Sequence, residues 1–342
     1  MSFKVIIARD FDQMSEIAAK IAIAEIAQST VGGSGFNLGL ATGNTPSGLY
    51  KHLAKAANRG AFDASRIISF NLDEYIGLQG ENAQQRALNP ESYTYYMIQE
   101  LFGLLSPRFQ KTYLPAGTLI DQQGLDSALA SYPDDWEERG EDQGRAIVIR
   151  PDATSPVLSW IRWEILDSYA AAIRAVGGID LQIIGVGERG HVGFHEVGIP
   201  FDEEEMLLVR LDQNTTENSI ADIHFIDRES CPRFAISMSA PLVYQARKIL
   251  LVANGPRKSQ AVARSLLTDP DPAIPISYAW IPAREGRDVT YVLDLPAATE
   301  LLQRIDEIRD RGVVIEDISS QRASVAVSDL CFRRHPDSCR LT

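Results

Sequence analysis

Apolar residues gather in short runs at 4–8, 36–40, 67–71, 180–184, 206–211, 234–238, 248–253 and 290–294, each bounded by polar or glycine-bearing turns. Runs of this length read as strands, and unbroken ones as strands covered on both faces. Between them, residues 12–27, 48–57, 91–104, 158–176, 259–267 and 297–311 are read as helices, from the three- and four-residue spacing of their apolar positions. Strands alternating with helices predict an α/β fold: Rossmann-like, doubly wound, with a mostly parallel sheet and helices on both faces. Residues 116–160 break the alternation. Their stretch 133–144 is polar and turn-rich, and 146–149 reads as an isolated strand or one arm of a hairpin. The chain is therefore read as a single domain over 1–315 with an insertion around 118–160. The strand at 290–294 is expected to be the last of the sheet, and 316–342 a peripheral C-terminal tail.

The ends of the strands carry the chemistry. The run 36–40 leads into Ala41-Thr42-Gly43-Asn44-Thr45-Pro46-Ser47. There Thr45 is placed to cap the next helix, with Pro46 at its first position. Free N–H groups and the helix dipole suit such a turn to a phosphate; the bland alternative is a well-capped turn and nothing more. The run 67–71 leads into the carboxylate pair Asp73-Glu74. That pair is either a solvated turn or a base for abstracting a carbon-bound proton beside a carbonyl. The run 180–184 leads into Gly185-Val186-Gly187-Glu188-Arg189-Gly190-His191, with Glu196 five residues on. His191 is either packed on its turn or a general acid–base group. Metal binding by His191 with His195 is disfavoured, because glycines on both sides of His191 argue against a regular helix. The run 248–253 feeds Gly255-Pro256-Arg257-Lys258, and Lys258 can reach a phosphate or stand in solvent.

Composition narrows the partners. The chain holds 33 basic and 46 acidic residues, net −13, which argues against nucleic acid and anionic membranes. A phosphorylated small molecule stays open, because backbone N–H groups bind anions even on an acidic protein. No run of 18 apolar residues and no secretory leader is visible. Cys231, Cys331 and Cys339 form neither a disulfide framework nor a zinc pattern, and so point to a reducing cytoplasm. The sequence leaves a homo-oligomer open: Trp136 and Trp160 of the insertion would cover the site, meet a second subunit, or stand on a solvated excursion.

Taken together, the segments 38–46, Phe70-Asn71-Leu72-Asp73-Glu74-Tyr75, Pro90-Glu91-Ser92-Tyr93, 185–196 and Gly255 with Lys258 resemble the glucosamine-6-phosphate deaminase/isomerase family. The wider superfamily includes 6-phosphogluconolactonases. The resemblance covers about residues 1–310. It implies that Thr42, Gly43, Asn44, Thr45 and Lys258 hold a sugar phosphate, that Glu74 and Arg189 border the substrate, and that no cofactor or metal is needed. It implies that His191 opens the ring, oriented by Glu196, while Asp73 moves protons between C1 and C2 before ammonia leaves. Four departures stand out. Arg189 replaces the family Asp two residues before the His, and a positive neighbour favours neutral imidazole where a carboxylate favours the charged form. His195 replaces the family Asn. The family's second phosphate-binding Arg is absent from 212–225, leaving Arg210, Arg228 or Arg257 as substitutes. The serine- and arginine-rich stretch of allosteric members is replaced by Asp202-Glu203-Glu204-Glu205, so regulation by an amino-sugar effector is not expected. The expected function is deamination and isomerisation of a phosphorylated amino sugar. The alternatives are a 6-phosphogluconolactonase-like hydrolase and a non-catalytic sugar-phosphate binder.

Overall fold

The computed structural model describes residues 2–141, 144–202, 204–211, 215–217, 225 and 231–320. Its strands, in chain order, are β1 (Phe3–Ala8), β2 (Phe36–Leu40), β3 (Ile67–Asn71), β4 (Asp73–Ile76), β5 (Lys111–Tyr113), β6 (Trp136–Arg139) and β7 (Arg145–Ile149). They continue as β8 (Leu181–Ile184), β9 (Met206–Arg210), β10 (Phe234–Met238), β11 (Lys248–Ala253), β12 (Asp288–Asp294) and β13 (Val314–Asp317). Eight of them form one sheet in the order β13-β1-β12-β11-β8-β2-β3-β5. Every pairing in it is parallel. Parallel strands need helical crossovers, so both faces end up covered. Alternate residues accordingly enter opposite cores: Val5 and Ile7 one, Ile6 and Ala8 the other. The helices Phe11–Thr30 and Ser47–Asn58 close one face, and Ser168–Ala175 and Ser259–Leu267 the other.

The expected doubly wound parallel sheet is present, but it does not hold every strand. β4, β10, β9, β7 and β6 form a second, antiparallel sheet in that order. One face of it, including Ile76, Ile147, Leu208 and Ile236, shares a core with the parallel sheet. The other face, with Tyr75, Ala146, Leu207 and Val209, has a small core of its own. The strand at 146–149 is thus not isolated. It is β7, hairpin partner of β6 and neighbour of β9, and the stretch expected to be an insertion completes a sheet.

Further differences are local. Asp73-Glu74 is not a turn but the start of β4, paired with β10. β12 is not the last strand, because β13 adds to β1 at the sheet edge. The expected helix 297–311 is two short helices, Thr299–Gln303 and Ile305–Asp310, separated at Arg304, whose φ is −122°. The helix expected over 158–176 begins at Pro156 and carries a π-helical stretch, Ile161–Asp167. Of the expected tail, residues 321–342 lie outside the described residues. No helix among the described residues is long and apolar enough to cross a membrane.

Candidate active site

Four adjacent parallel strands, β11, β8, β2 and β3, open at their carboxyl ends into a cavity of about 500 Å³. The chain steps outward from β2 to β3 in one direction and from β8 to β11 in the other. The cavity therefore sits at a topological switch point, where open α/β sheets bind ligands. Its walls bring together Thr42, Gly43, Asn44, Thr45, Asp73, His191 and Lys258, seven of the site residues expected from the sequence.

Asp73 is placed by a change of sheet. β3 ends at Asn71, and Leu72 alone links it to β4. The Leu72 N–H donates to Leu40 O in one sheet (3.0 Å), and its carbonyl accepts from Met238 N in the other (2.8 Å). Asp73 follows at the seam, 5% exposed, with Oδ1 lacking a hydrogen-bond partner. Burial, then the neighbouring Glu74 charge, push its carboxyl well above the usual carboxylate range; the Thr42 hydroxyl opposes this.

Glu74 points the other way. Its Oε1 accepts from Tyr75 N and Tyr93 N, and its Oε2 from Ser92 Oγ, Thr94 N and Thr94 Oγ1, all at 2.8–3.0 Å. It caps the amino end of the helix Tyr93–Glu100 and is not among the residues lining the cavity. A carboxylate at that end satisfies orphan N–H donors and meets the positive end of the helix dipole. Burial still raises its pKa, against the pull of those hydrogen bonds.

His191 and Glu196 meet through a turn made tight by glycine. Gly187 N donates to His191 O (3.1 Å), and Gly190 N to Gly187 O (3.0 Å). A Cβ on Gly187 would lie 2.0 Å from His191 Nε2, so the ring rests where only glycine leaves space. His191 Nδ1 lies 3.3 Å from Glu196 Oε2. That is an ion-pair distance without hydrogen-bond geometry, and among the described residues neither Glu196 oxygen has a hydrogen-bond partner. Glu196 is 1% exposed. A buried carboxylate left this way is a standing expense that catalytic pairs show, since their hydrogen bonds tighten only when substrate binds. His195 is different. Ala240 N donates to its Nδ1, and its Nε2 faces Ile199 O, each at 3.0 Å. Both ring nitrogens are thus taken by backbone, and burial lowers its pKa to about 4, so the ring is neutral packing.

The side of the cavity expected to hold an anion is built from two loops. Thr45 does not cap the following helix, which begins at Ser47 with Pro46 before it and no side-chain cap. Its hydroxyl instead donates to Asn254 Oδ1 (2.6 Å), tying the end of β2 to the end of β11. Tyr50 OH donates to Ala41 O (2.5 Å) and Tyr96 OH to Gly43 O (2.6 Å), fixing the loop from behind. Asp294 accepts from Gly255 N and Ala297 N, fixing the loop that bears Arg257 and Lys258. Among the three substitute arginines, Arg257 lines the cavity, Arg210 pairs with Glu138 on the second sheet, and Arg228 lies outside the described residues. Arg189 is not among the lining residues, whereas its neighbour Glu188 is. Asp202 and Glu205 pair with Arg139 and Arg174.

The sequence reading missed Tyr75, Tyr93, Phe194, Thr215 and Asn254 as wall residues. The three aromatic rings pack together, with Tyr93 and Phe194 stacked at 5.8 Å. Tyr75, Tyr93 and Phe194 lie inside segments already singled out and Asn254 directly precedes one, and that placement was the available signal. Thr215 lies in a stretch with no recognisable pattern.

Comparison with known proteins settles the ancestry. No family model matches the chain. The glucosamine-6-phosphate deaminase of Clostridium acetobutylicum is 32% identical over 300 residues, covering 87% of this chain and 100% of that protein. The chain belongs to the glucosamine-6-phosphate deaminase family. A second member, from Clostridium novyi, is 32% identical over 298 residues, covering 87% of this chain and all of its own length. Among solved structures, a monomeric glucosamine-6-phosphate deaminase superposes with a TM-score of 0.64 at 24% identity, covering 87% of this chain and 99% of its own. A 6-phosphogluconolactonase from Thermotoga maritima superposes with a TM-score of 0.55 at 13% identity, covering 85% and 99%. These two likenesses bear on the fold. This chain carries Arg189 two residues before His191 and His195 directly before Glu196.

Proposed function

We propose that the chain converts a 2-amino-2-deoxy aldose 6-phosphate, glucosamine 6-phosphate or a close relative, to the ketose 6-phosphate and ammonia. The observation that carries this reading is Asp73: a buried carboxylate with an unpartnered oxygen and a raised pKa, in the same cavity as His191 and a phosphate-suited loop. Such a carboxylate, made more basic by burial, is suited to taking a carbon-bound proton beside a carbonyl.

The steps follow from the arrangement. The 42–45 loop, Lys258 and Arg257 hold the phosphate, and that remote binding orients the reacting carbons. His191, oriented by Glu196, passes a proton to the ring oxygen and opens the pyranose. Asp73 takes the C2 proton to give an enolamine and returns it to C1. The resulting imine at C2 is hydrolysed by water, which replaces nitrogen by oxygen and releases ammonia. A lactone hydrolysis would use His191 on water and leave Asp73 idle.

The test is ammonia release and ketose phosphate formation from glucosamine 6-phosphate, with wild type and Arg189→Asp side by side. Both are expected to turn over, since Arg189 does not line the cavity. No turnover by wild type, with turnover of 6-phosphogluconolactone, would replace this reading by the hydrolase. Binding without turnover across a panel of sugar phosphates would replace it by a binder.

A further inference from the structure

The segment carrying Glu196 is gripped by the insertion. Glu141, at one end of the β6–β7 hairpin turn, donates from its N–H to Gly198 O (2.8 Å). At the other end, Gly144 lies so close that a Cβ there would stand 2.2 Å from Val197 O and 3.1 Å from Glu196 Cβ. The fit is reciprocal: a Cβ on Gly198, whose φ is +92°, would stand 2.2 Å from Glu141 O. From the opposite side, Gly198 N donates to Pro272 O (2.9 Å). His195, the residue before Glu196, is pinned by Ala240 N and Ile199 O. Just beyond, Arg139 of β6 pairs with Asp202 (3.1 Å).

This backbone grip matters because, among the described residues, no hydrogen bond holds the Glu196 carboxylate itself. Neither oxygen has a hydrogen-bond partner there, and His191 stands 3.3 Å away as its ionic neighbour. The place of that carboxylate is thus set by the path of residues 195–198. We infer that the β6–β7 hairpin is a positioning device. It fixes Glu196 beneath His191, and Gly144 and Arg139 are its positioning residues. The inference rests on the proposed reaction only in taking His191 as the group that moves the ring-opening proton.

The test compares wild type, Glu196→Gln, Gly144→Ala and Arg139→Ala. The first readout is the His191 ring signals in 1H–15N NMR, which need no turnover. The second is kcat and KM for glucosamine 6-phosphate across pH. Gly144→Ala must displace the backbone around Val197, so its His191 signals are expected to move in the direction Glu196→Gln moves them. Its kcat is expected to fall by on the order of tenfold to hundredfold, as misplacement by about 1 Å can do. KM is expected to stay near wild type, and the pH profile of kcat to change shape. A structural role alone would lower the amount of folded enzyme and leave profile and signals as they were. Arg139→Ala adds no bulk and is expected to shift the same readouts less far; it carries the test if Gly144→Ala does not fold. Wild-type His191 signals in a folded variant would overturn the inference, and so would moved signals with wild-type kcat. If the wild type itself does not turn over glucosamine 6-phosphate, the proposed reaction falls, and the NMR comparison alone decides the positioning.

Discussion

At the scale of single residues, Asp73 and Glu74 show how two adjacent carboxylates acquire opposite tasks. Both are buried and both are raised in pKa, yet Glu74 has five donors and Asp73 Oδ1 has none. Asp73→Asn is expected to lower deamination by about 10²–10⁴-fold. It is also expected to stabilise the protein at neutral pH. The folded-state pKa of Asp73 lies above its unfolded value, so the stability it lends is complete below about pH 3.8 and is lost as pH rises through the folded value. Removing the charge should therefore raise the melting temperature at pH 7 and change it little at pH 3.5. A thermal melt of the variant at both pH values checks this, and an unchanged melting temperature at pH 7 would mean the buried charge is better compensated than its surroundings indicate. The same raised pKa places the acid limb of kcat above the ordinary carboxylate range.

At the scale of elements, the cap on the helix Tyr93–Glu100 is tertiary. Glu74 lies 19 residues before its first residue and arrives by way of β4. Glu74→Ala is expected to cost about 1–3 kcal/mol, through N–H donors left buried without an acceptor. Urea unfolding reads that loss directly, and a midpoint equal to wild type would refute the capping role. This element also marks what the sequence could tell. The strands β1, β2, β3, β8, β11 and β12 were legible, because each is an apolar run closed by turn residues. The segments following β2, β3, β8 and β11 exposed Thr42–Thr45, Asp73, His191 and Lys258 in the same way. The tasks of Glu74 and Thr45 were not legible, because side-chain direction depends on what a neighbouring strand or loop offers. Nor was the split between two sheets: β9 and β10 look like any apolar run, and their partners are set by long-range pairing that local pattern does not encode.

At the scale of the whole molecule, the β6–β7 hairpin is structural. β7 supplies Ile147 and Ile149 to the main core and Ala146 to the smaller one. Deleting residues 134–150 is expected to bare the edge of β9 and to abolish soluble expression rather than merely trim a loop. Recovery of a soluble, cooperatively melting deletion variant would show the second sheet to be dispensable. Acid sensitivity also belongs at this scale. His195 is neutral when folded, with a pKa of about 4 against an ordinary 6.5. Between those values the unfolded chain binds the extra proton, so stability falls as pH drops through that window. His195→Asn should flatten the dependence of melting temperature on pH between 4 and 6.5.

Leu72, the single residue between β3 and β4, has one more consequence. The phosphate-suited loop belongs to the parallel sheet, and Asp73 opens the antiparallel one. In the proposed reaction, the span between them is a caliper on the substrate. A sugar whose phosphate sits on another carbon would seat its anion and leave C2 out of reach of the base. Such a compound would be held without being turned over, an inhibitor selected by length alone.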